Sequence, residues 1–230
     1  MLNKYVDKIY YINLEHRTDR KEHIEKQIKE YLDPSLKITE RFNAVVYTNN
    51  DVGGAFRNKG GIGCSLSHLN IIKNAKKQGY KAILILEDDV IFNFDKERFY
   101  SFLDSFYKNI IDYNLLVFDT AGYAACMWKN HPTAIPNIYK LSDSCCTGAY
   151  IISENFYSTY IDHLELHIPK LINGCNESRL DESWKKFQGN EEDKKVYTFN
   201  KPGDKVLYQI GDYSDIEGRI CRPKNTYPEC

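Results

Sequence analysis

Ala82-Ile83-Leu84-Ile85-Leu86 is apolar at every position and runs straight into Glu87-Asp88-Asp89. A strand hydrophobic on both faces must be covered on both sides by helices, so this segment predicts the central strand of an α/β sheet. The flanking chain has the matching rhythm. Ile9-Tyr10-Tyr11-Ile12-Asn13-Leu14, rich in β-branched and aromatic residues, reads as the first strand. Residues 18–32 carry Ile24, Ile28, Tyr31 and Leu32 at helical spacing, and Asp33-Pro34 stops the run. Residues 62–78 form a second amphipathic helix, with Leu66, Leu69, Ile72 and Ala75 on one stripe and Gly79 as its stop. Beyond the acidic triplet the pattern predicts a helix around 97–109, strands at 115–118 and 148–152, and a helix over 154–167. The C-terminal part is mixed and polar, with an exposed turn at 189–195.

Composition enters as a bound. A chain of 230 residues that is 42% hydrophobic and 27% charged can bury a sizeable core, and no shift in composition marks a linker, so one domain over 1–230 is expected. The net charge of -1 offers no basic field for nucleic acid or an anionic membrane. No apolar run approaches the roughly 20 residues of a spanning helix, and neither a secretory leader nor a retention tetrapeptide is seen, so a cytoplasmic location is expected. The sequon Asn176-Glu177-Ser178 would matter only in a secretory lumen. Seven cysteines without repeating spacing point to free, partly buried thiols rather than a disulfide framework or a metal cluster.

Three carboxylates at the end of a buried strand are the sharpest chemical signal, because ligands of open α/β sheets gather beyond the carboxyl ends of strands. Alternation puts Glu87 and Asp89 on one side and turns Asp88 to the other. Two acids together suit a hard divalent cation such as Mn²⁺ or Mg²⁺, which prefers oxygen ligands; the bland alternative is a solvated acidic loop. In Asn13-Leu14-Glu15-His16-Arg17-Thr18-Asp19-Arg20, two guanidiniums stand beside a helix start, where backbone N–H groups also favour an anion such as a nucleotide phosphate. Alternatively Thr18 caps the helix and both arginines are solvated. Lys59-Gly60-Gly61-Ile62-Gly63-Cys64-Ser65-Leu66-Ser67-His68 lacks the Walker ending, so its glycines admit close contact with a ligand or a neighbouring strand. By spacing alone His68 is a packed helix residue. His163 and His167 stand four apart without the zinc-protease pattern. Asp181 and Glu182, beside Trp184, offer a general base in a cleft or simply a helix start. The acid-bearing loop over 211–218 contains Asp212 and Asp215 and also reads as a surface turn.

Taken in order, Tyr11-Ile12-Asn13-Leu14 with Arg17-Thr18-Asp19-Arg20, Gly63-Cys64-Ser65-Leu66-Ser67-His68, Leu86-Glu87-Asp88-Asp89-Val90 and Tyr213-Ser214-Asp215-Ile216 resemble glycosyltransferase family 25. That family includes bacterial lipopolysaccharide glycosyltransferases and procollagen galactosyltransferases, and the resemblance runs over about residues 10–218. It implies a single GT-A-type domain, a Rossmann-like α/β/α sandwich with a mostly parallel sheet. It implies a UDP-sugar donor, usually a UDP-hexose, Mn²⁺ or Mg²⁺, and transfer with inversion to a glycan or glycoprotein acceptor. Asp89 would hold the metal, supported by Glu87 and completed by Asp212 or Asp215. Asn13, Arg17, Asp19 and Arg20 would contact the nucleotide, Gly63, Ser67 and His68 would line the donor pocket, and Glu87 or Asp88 would hold ribose. Asp181 or Glu182 would be the catalytic base. A homo-oligomer is compatible with this picture. Residues 53–61 have the glycine content of a closing loop. Two competing readings use the same residues: a sugar-phosphate nucleotidyltransferase, and a nucleotide-sugar-binding module without catalysis.

Overall fold

The computed structural model describes residues 1–49, 59–120, 129–199, 206–210, 213–214 and 219–220, the last four through their backbone alone. In chain order the elements are β1 (Lys8–Asn13), α1 (Thr18–Tyr31), β2 (Thr39–Asn43), α2 (Lys59–Gln78), β3 (Ala82–Glu87), β4 (Val90–Phe92) and α3 (Lys96–Asn109). They continue with β5 (Leu115–Val117), β6 (Lys129–Pro132), β7 (Tyr139–Ser142), β8 (Ala149–Ser153), α4 (Glu154–Ile172), α5 (Leu180–Ser183), β9 (Val196–Thr198) and β10 (Leu207–Gln209). Two short strands, β11 (Tyr213–Ser214) and β12 (Arg219–Ile220), pair with each other.

The main sheet has eight strands in the order β2-β1-β3-β8-β5-β9-β7-β6. β1 is parallel to β2 and β3, and β5 to β9, whereas β8 is antiparallel to both β3 and β5, and β7 to both β9 and β6. Six strands therefore point one way, and only β8 and β7 are reversed. This is the mostly parallel α/β/α sandwich of GT-A type expected from the sequence. The carboxyl ends of β1, β2, β3, β5 and β9 gather at one edge.

Alternation along each strand divides the core into two. Ile9, Tyr11, Leu84, Leu86, Leu116 and Ile151 face α1 and α3, meeting Ile24, Ile28, Phe99, Leu103 and Phe106. Tyr10, Ile83, Ile85, Leu115, Val117, Tyr150 and Ile152 face the other way, toward Ile72 and Ala75 of α2 and Tyr160 and Leu164 of α4, with Trp184 beyond α5. That is why β3 is apolar throughout: it is covered on both faces.

The chain leaves β1 through α1 to β2 on one side, then crosses through α2 to β3 on the other. The crevice between the ends of β1 and β3 is thus a topological switch point, where such sheets receive ligands. Asn13 ends β1, and Glu87-Asp88-Asp89 follows from β3.

Candidate active site at the end of β1 and β3

The crevice is built first by hydrogen bonds between its walls. Asn13, 1% exposed, donates through Nδ2 to Asp88 Oδ2 at 2.7 Å and to the Arg17 carbonyl at 3.0 Å. Arg41, two residues before the end of β2, donates through Nε to Asn13 Oδ1 at 3.0 Å. Arg20 Nη1 donates to Asp88 Oδ1 at 3.2 Å. One buried carboxylate, Asp88, so ties together β1, α1 and β3. Burial pushes its pKa above the ordinary value, against the opposing pull of Asn13 and Arg20. Arg17 grips Asp19 with two hydrogen bonds, 3.0 Å from Nε and 2.8 Å from Nη2, and this lowers the Asp19 pKa to about 2. Thr18 is the first helical residue, and Arg17 occupies the cap position.

Asp89 sits in the turn between β3 and β4, and its Oδ1 is enclosed with no hydrogen-bond partner among the described residues. Its pKa is pushed up to about 8, first by burial and then by the charge of Glu87, with Asp88 and Asp119 adding to the effect and Arg20 opposing it. Asp89 thus shares this corner with the carboxylates of Glu87, Asp88 and Asp119. Hard oxygen donors are the set that Mn²⁺ or Mg²⁺ takes, so the residues present fit such an ion.

Asp119, 3% exposed, follows β5 at the same sheet edge. Gln209 of β10 donates to its Oδ2 at 3.0 Å. Gly148, just before β8, makes room for that carboxylate, because a Cβ on it would lie 2.4 Å from Asp119 Oδ2. Thr147 donates through Oγ1 to Glu87 Oε1 at 3.1 Å. The adjoining Cys146 holds φ at 140°, a region where side-chain-bearing residues are strained, in the segment that delivers Thr147 and Gly148 to the edge.

The α2 wall separates packing from chemistry. A Cβ on Gly63 would lie 2.2 Å from the Val45 carbonyl oxygen, so this glycine permits a backbone to pass against the helix. Ser67 Oγ donates to the Gly63 carbonyl at 2.7 Å and accepts from Val45 N–H at 2.8 Å. Those two residues lock the chain after β2 onto α2, and their polar capacity points into that seam. His68 lies deeper, 0% exposed, with Nδ1 2.8 Å from the Tyr150 hydroxyl and Nε2 3.7 Å from Glu87 Oε1. Cys64, one turn earlier, has its thiol pKa pushed well up by burial and then by the charges of Glu87 and Asp181.

α5 packs against α2, and the carboxylates of Asp181 and Glu87 both act on Cys64. Asp181 lies 3.4 Å from Arg179 Nε. Glu182 pairs instead with Lys185 at 2.8 Å and leaves Oε1 buried without a hydrogen-bond partner among the described residues. Neither residue is the helix cap, since α5 begins at Leu180 after Arg179. Asp212 and Asp215 lie outside the described residues, as do Gly53 and Gly54 of the expected closing loop; Gly60 and Gly61 belong to the first turn of α2. His163 and His167 face serines, Ser183 at 3.0 Å and Ser178 at 3.1 Å, and burial lowers the His163 pKa to about 3, the state of a neutral, packed pair.

The structure therefore brings together Asn13, Arg17, Arg20, Glu87, Asp88, Asp89 and His68, and Asp181 is near enough to Cys64 for its charge to act on the thiol. It adds Arg41, Asp119 and Thr147. Asp119 had a sequence signal, since Leu115-Leu116-Val117-Phe118 runs into it as β3 runs into Glu87. Arg41 had none, because β2 is polar and irregular.

A sandwich of this kind with an acid-lined switch point is an architecture that receives ligands beyond its strand ends. More particularly, residues 6–169, over half of the chain, match the model of Glycosyltransferase family 25 (LPS biosynthesis protein), and the chain belongs to that family. Among curated proteins it is similar to human procollagen galactosyltransferase 2, 27% identical over 168 residues that cover 64% of this chain. The matched region spans only about a quarter of that relative, 26% of its length. Among solved structures, a glycosyltransferase involved in the glycosylation of the major capsid of PBCV-1 aligns with a TM-score of 0.41 at 13% identity, over 77% of this chain and 72% of its own. A mannose-1-phosphate geranyltransferase from Thermus thermophilus aligns with a TM-score of 0.43 at 10% identity, over 83% and 72%.

Proposed function

We propose that this glycosyltransferase moves a hexose, galactose or glucose, from a UDP-sugar to a hydroxyl of a glycan or glycosylated protein, with inversion and with a divalent metal. The observation that carries the reading is the enclosed, unpartnered Asp89 Oδ1 among Glu87, Asp88 and Asp119 at the β1/β3 switch point. Asp89 and Glu87 hold Mn²⁺ or Mg²⁺ in this account, with Asp212 or Asp215 contributing from the C-terminal segment. The ion, when bound, supplies Lewis-acid stabilisation of the diphosphate that leaves.

The remaining chemistry belongs to the chain. Asp88, already fixed by Asn13 and Arg20, orients the β3 end and presents an acceptor edge to ribose. Arg17, Arg20 and Arg41 line the α1 and β2 side with positive charge, preorganised by their carboxylate and amide partners, so little rearrangement opposes stabilisation of the departing UDP. Inversion requires a base on the face opposite the leaving group. Asp181, paired with Arg179, or Glu182, paired with Lys185, takes that role; removing the acceptor proton there is worth roughly 10²- to 10⁴-fold.

A donor screen by UDP release tests the reading. Turnover with UDP-galactose or UDP-glucose, lost with EDTA and restored by Mn²⁺, is expected, and mass spectrometry of an acceptor mixture should show a mass gain of one hexose. Release of pyrophosphate from a nucleoside triphosphate and a sugar phosphate, with no UDP-sugar turnover, would refute it.

A further inference from the structure

Beside the hard-oxygen cluster lies a group of different chemistry. Cys64 and His68 are one helical turn apart on α2 and so share a face, and that face meets the end of β3. The Cys64 Sγ, a His68 ring nitrogen and a Glu87 carboxylate oxygen lie within 4.8 Å of one another. His68 is 0% exposed, its Nε2 faces Glu87 at 3.7 Å, and that atom has no hydrogen-bond partner among the described residues. Its other nitrogen is 2.8 Å from the Tyr150 hydroxyl. With Nδ1–H donating to Tyr150, the Nε2 lone pair is left turned toward Cys64 and Glu87, the orientation that a metal-binding imidazole needs. Thr147 in turn fixes Glu87.

We propose that Cys64, His68 and Glu87 form a second cation site, suited to a thiolate-binding divalent ion of the Zn²⁺ class. A sulfur, an imidazole nitrogen and one carboxylate oxygen form a donor set for Zn²⁺ with a position left open, and Mn²⁺ or Mg²⁺ would prefer the oxygen-only side. Tetrahedral ligands stand about 3.5 Å apart at bond lengths near 2.0–2.3 Å, so side-chain shifts of about 1 Å complete the site. On binding, the Cys64 S–H bond breaks, the sulfur keeps the electron pair and donates it to the ion, and the proton leaves to solvent. Cys64 is half-buried, which leaves a route for the ion. Because Glu87 belongs to both clusters, an ion here takes a carboxylate from the Asp89 side.

The test uses Co²⁺ as a spectroscopic substitute on the full chain and reads binding, not transfer. Titration should raise a thiolate-to-cobalt band in the near ultraviolet that is lost in Cys64→Ser and retained in Asp89→Asn. Tyr150→Phe, which frees the His68 ring, should weaken binding by roughly tenfold. Should Cys64→Ser fail to fold, the unmodified protein still answers: Zn²⁺ should protect Cys64, but not exposed Cys175, from iodoacetamide, as read by peptide mass spectrometry. A missing band, a band that survives Cys64→Ser, or alkylation of Cys64 at an unchanged rate with Zn²⁺ would overturn the proposal. Loss of UDP-sugar turnover in Asp89→Asn bears on the transfer reading alone, since the cobalt band reports on Cys64.

Discussion

Asp89 is held in a state that costs the fold stability at neutral and higher pH. Its pKa in the fold lies near 8, above the ordinary carboxylate value, so the folded state binds a proton more tightly than the unfolded chain. Stability from this group is therefore full at pH below the ordinary carboxylate range and falls as pH rises toward about 8. Removing the charge should relieve that loss. Asp89→Asn is expected to melt higher than the natural chain at pH 8 without metal, to match it near pH 4, and to have no measurable UDP-sugar turnover; differential scanning calorimetry at the two pH values reads the first part. A lower melting temperature at pH 8 would mean that Asp89 is not crowded by Glu87, Asp88 and Asp119. Asp119 gives a second residue-scale outcome. Gly148→Ala brings a Cβ to 2.4 Å from its Oδ2 and must displace the carboxylate. Turnover should fall by roughly 10- to 100-fold, with circular dichroism unchanged; unchanged turnover would remove Asp119 from the site.

At the scale of elements, α2 is the part on which most depends, since it borders the β1/β3 crevice, the thiol and the seam with the segment after β2. Gly63→Ala sets two effects against each other. Alanine favours helix over glycine by about 1 kcal/mol, but its Cβ would meet the Val45 backbone oxygen at 2.2 Å, and a backbone cannot swing away as a side chain can. Overpacking costs about 1–3 kcal/mol, so urea unfolding should show a net loss; a net gain would show that the seam yields. The elements the sequence revealed are those with a strong period: α1, α2, α3, β1 and β3 lie within a few residues of expectation. Helix α4 runs on to Ile172, past the expected end at 167 and through Pro169, because Ile168 and Leu171 are buried and their packing outweighs the lost hydrogen bond. β2 and β6, the two edges of the sheet, and β7 beside β6 escaped notice because they carry polar residues such as Glu40, Arg41, Asn130 and Lys140 and show no alternation. The site followed the same rule. Glu87-Asp88-Asp89 stood out against an apolar strand, whereas Arg41 and Thr147 enter only through pairing between distant segments, which local spacing does not record.

For the whole molecule, both cores share one sheet: Leu84 and Leu116 look to one side, Ile83 and Leu115 to the other. We propose that the chain is a single cooperative unit for that reason. Leu103→Ala under α3 and Leu164→Ala under α4 remove side chains that are 0% and 1% exposed, and each should cost about 2–5 kcal/mol. Both should shift one common unfolding transition, with far-ultraviolet circular dichroism and tryptophan fluorescence coincident; separate transitions for the two faces would divide the domain.

We propose that the end of β3 grips a divalent cation through Asp89 in support of a UDP leaving group. Electron paramagnetic resonance of free Mn²⁺ measures that grip directly, in the presence of UDP and without any acceptor. The natural chain should deplete the free Mn²⁺ signal while Asp89→Asn leaves it at the level of buffer with UDP; equal depletion by the two proteins would contradict the account.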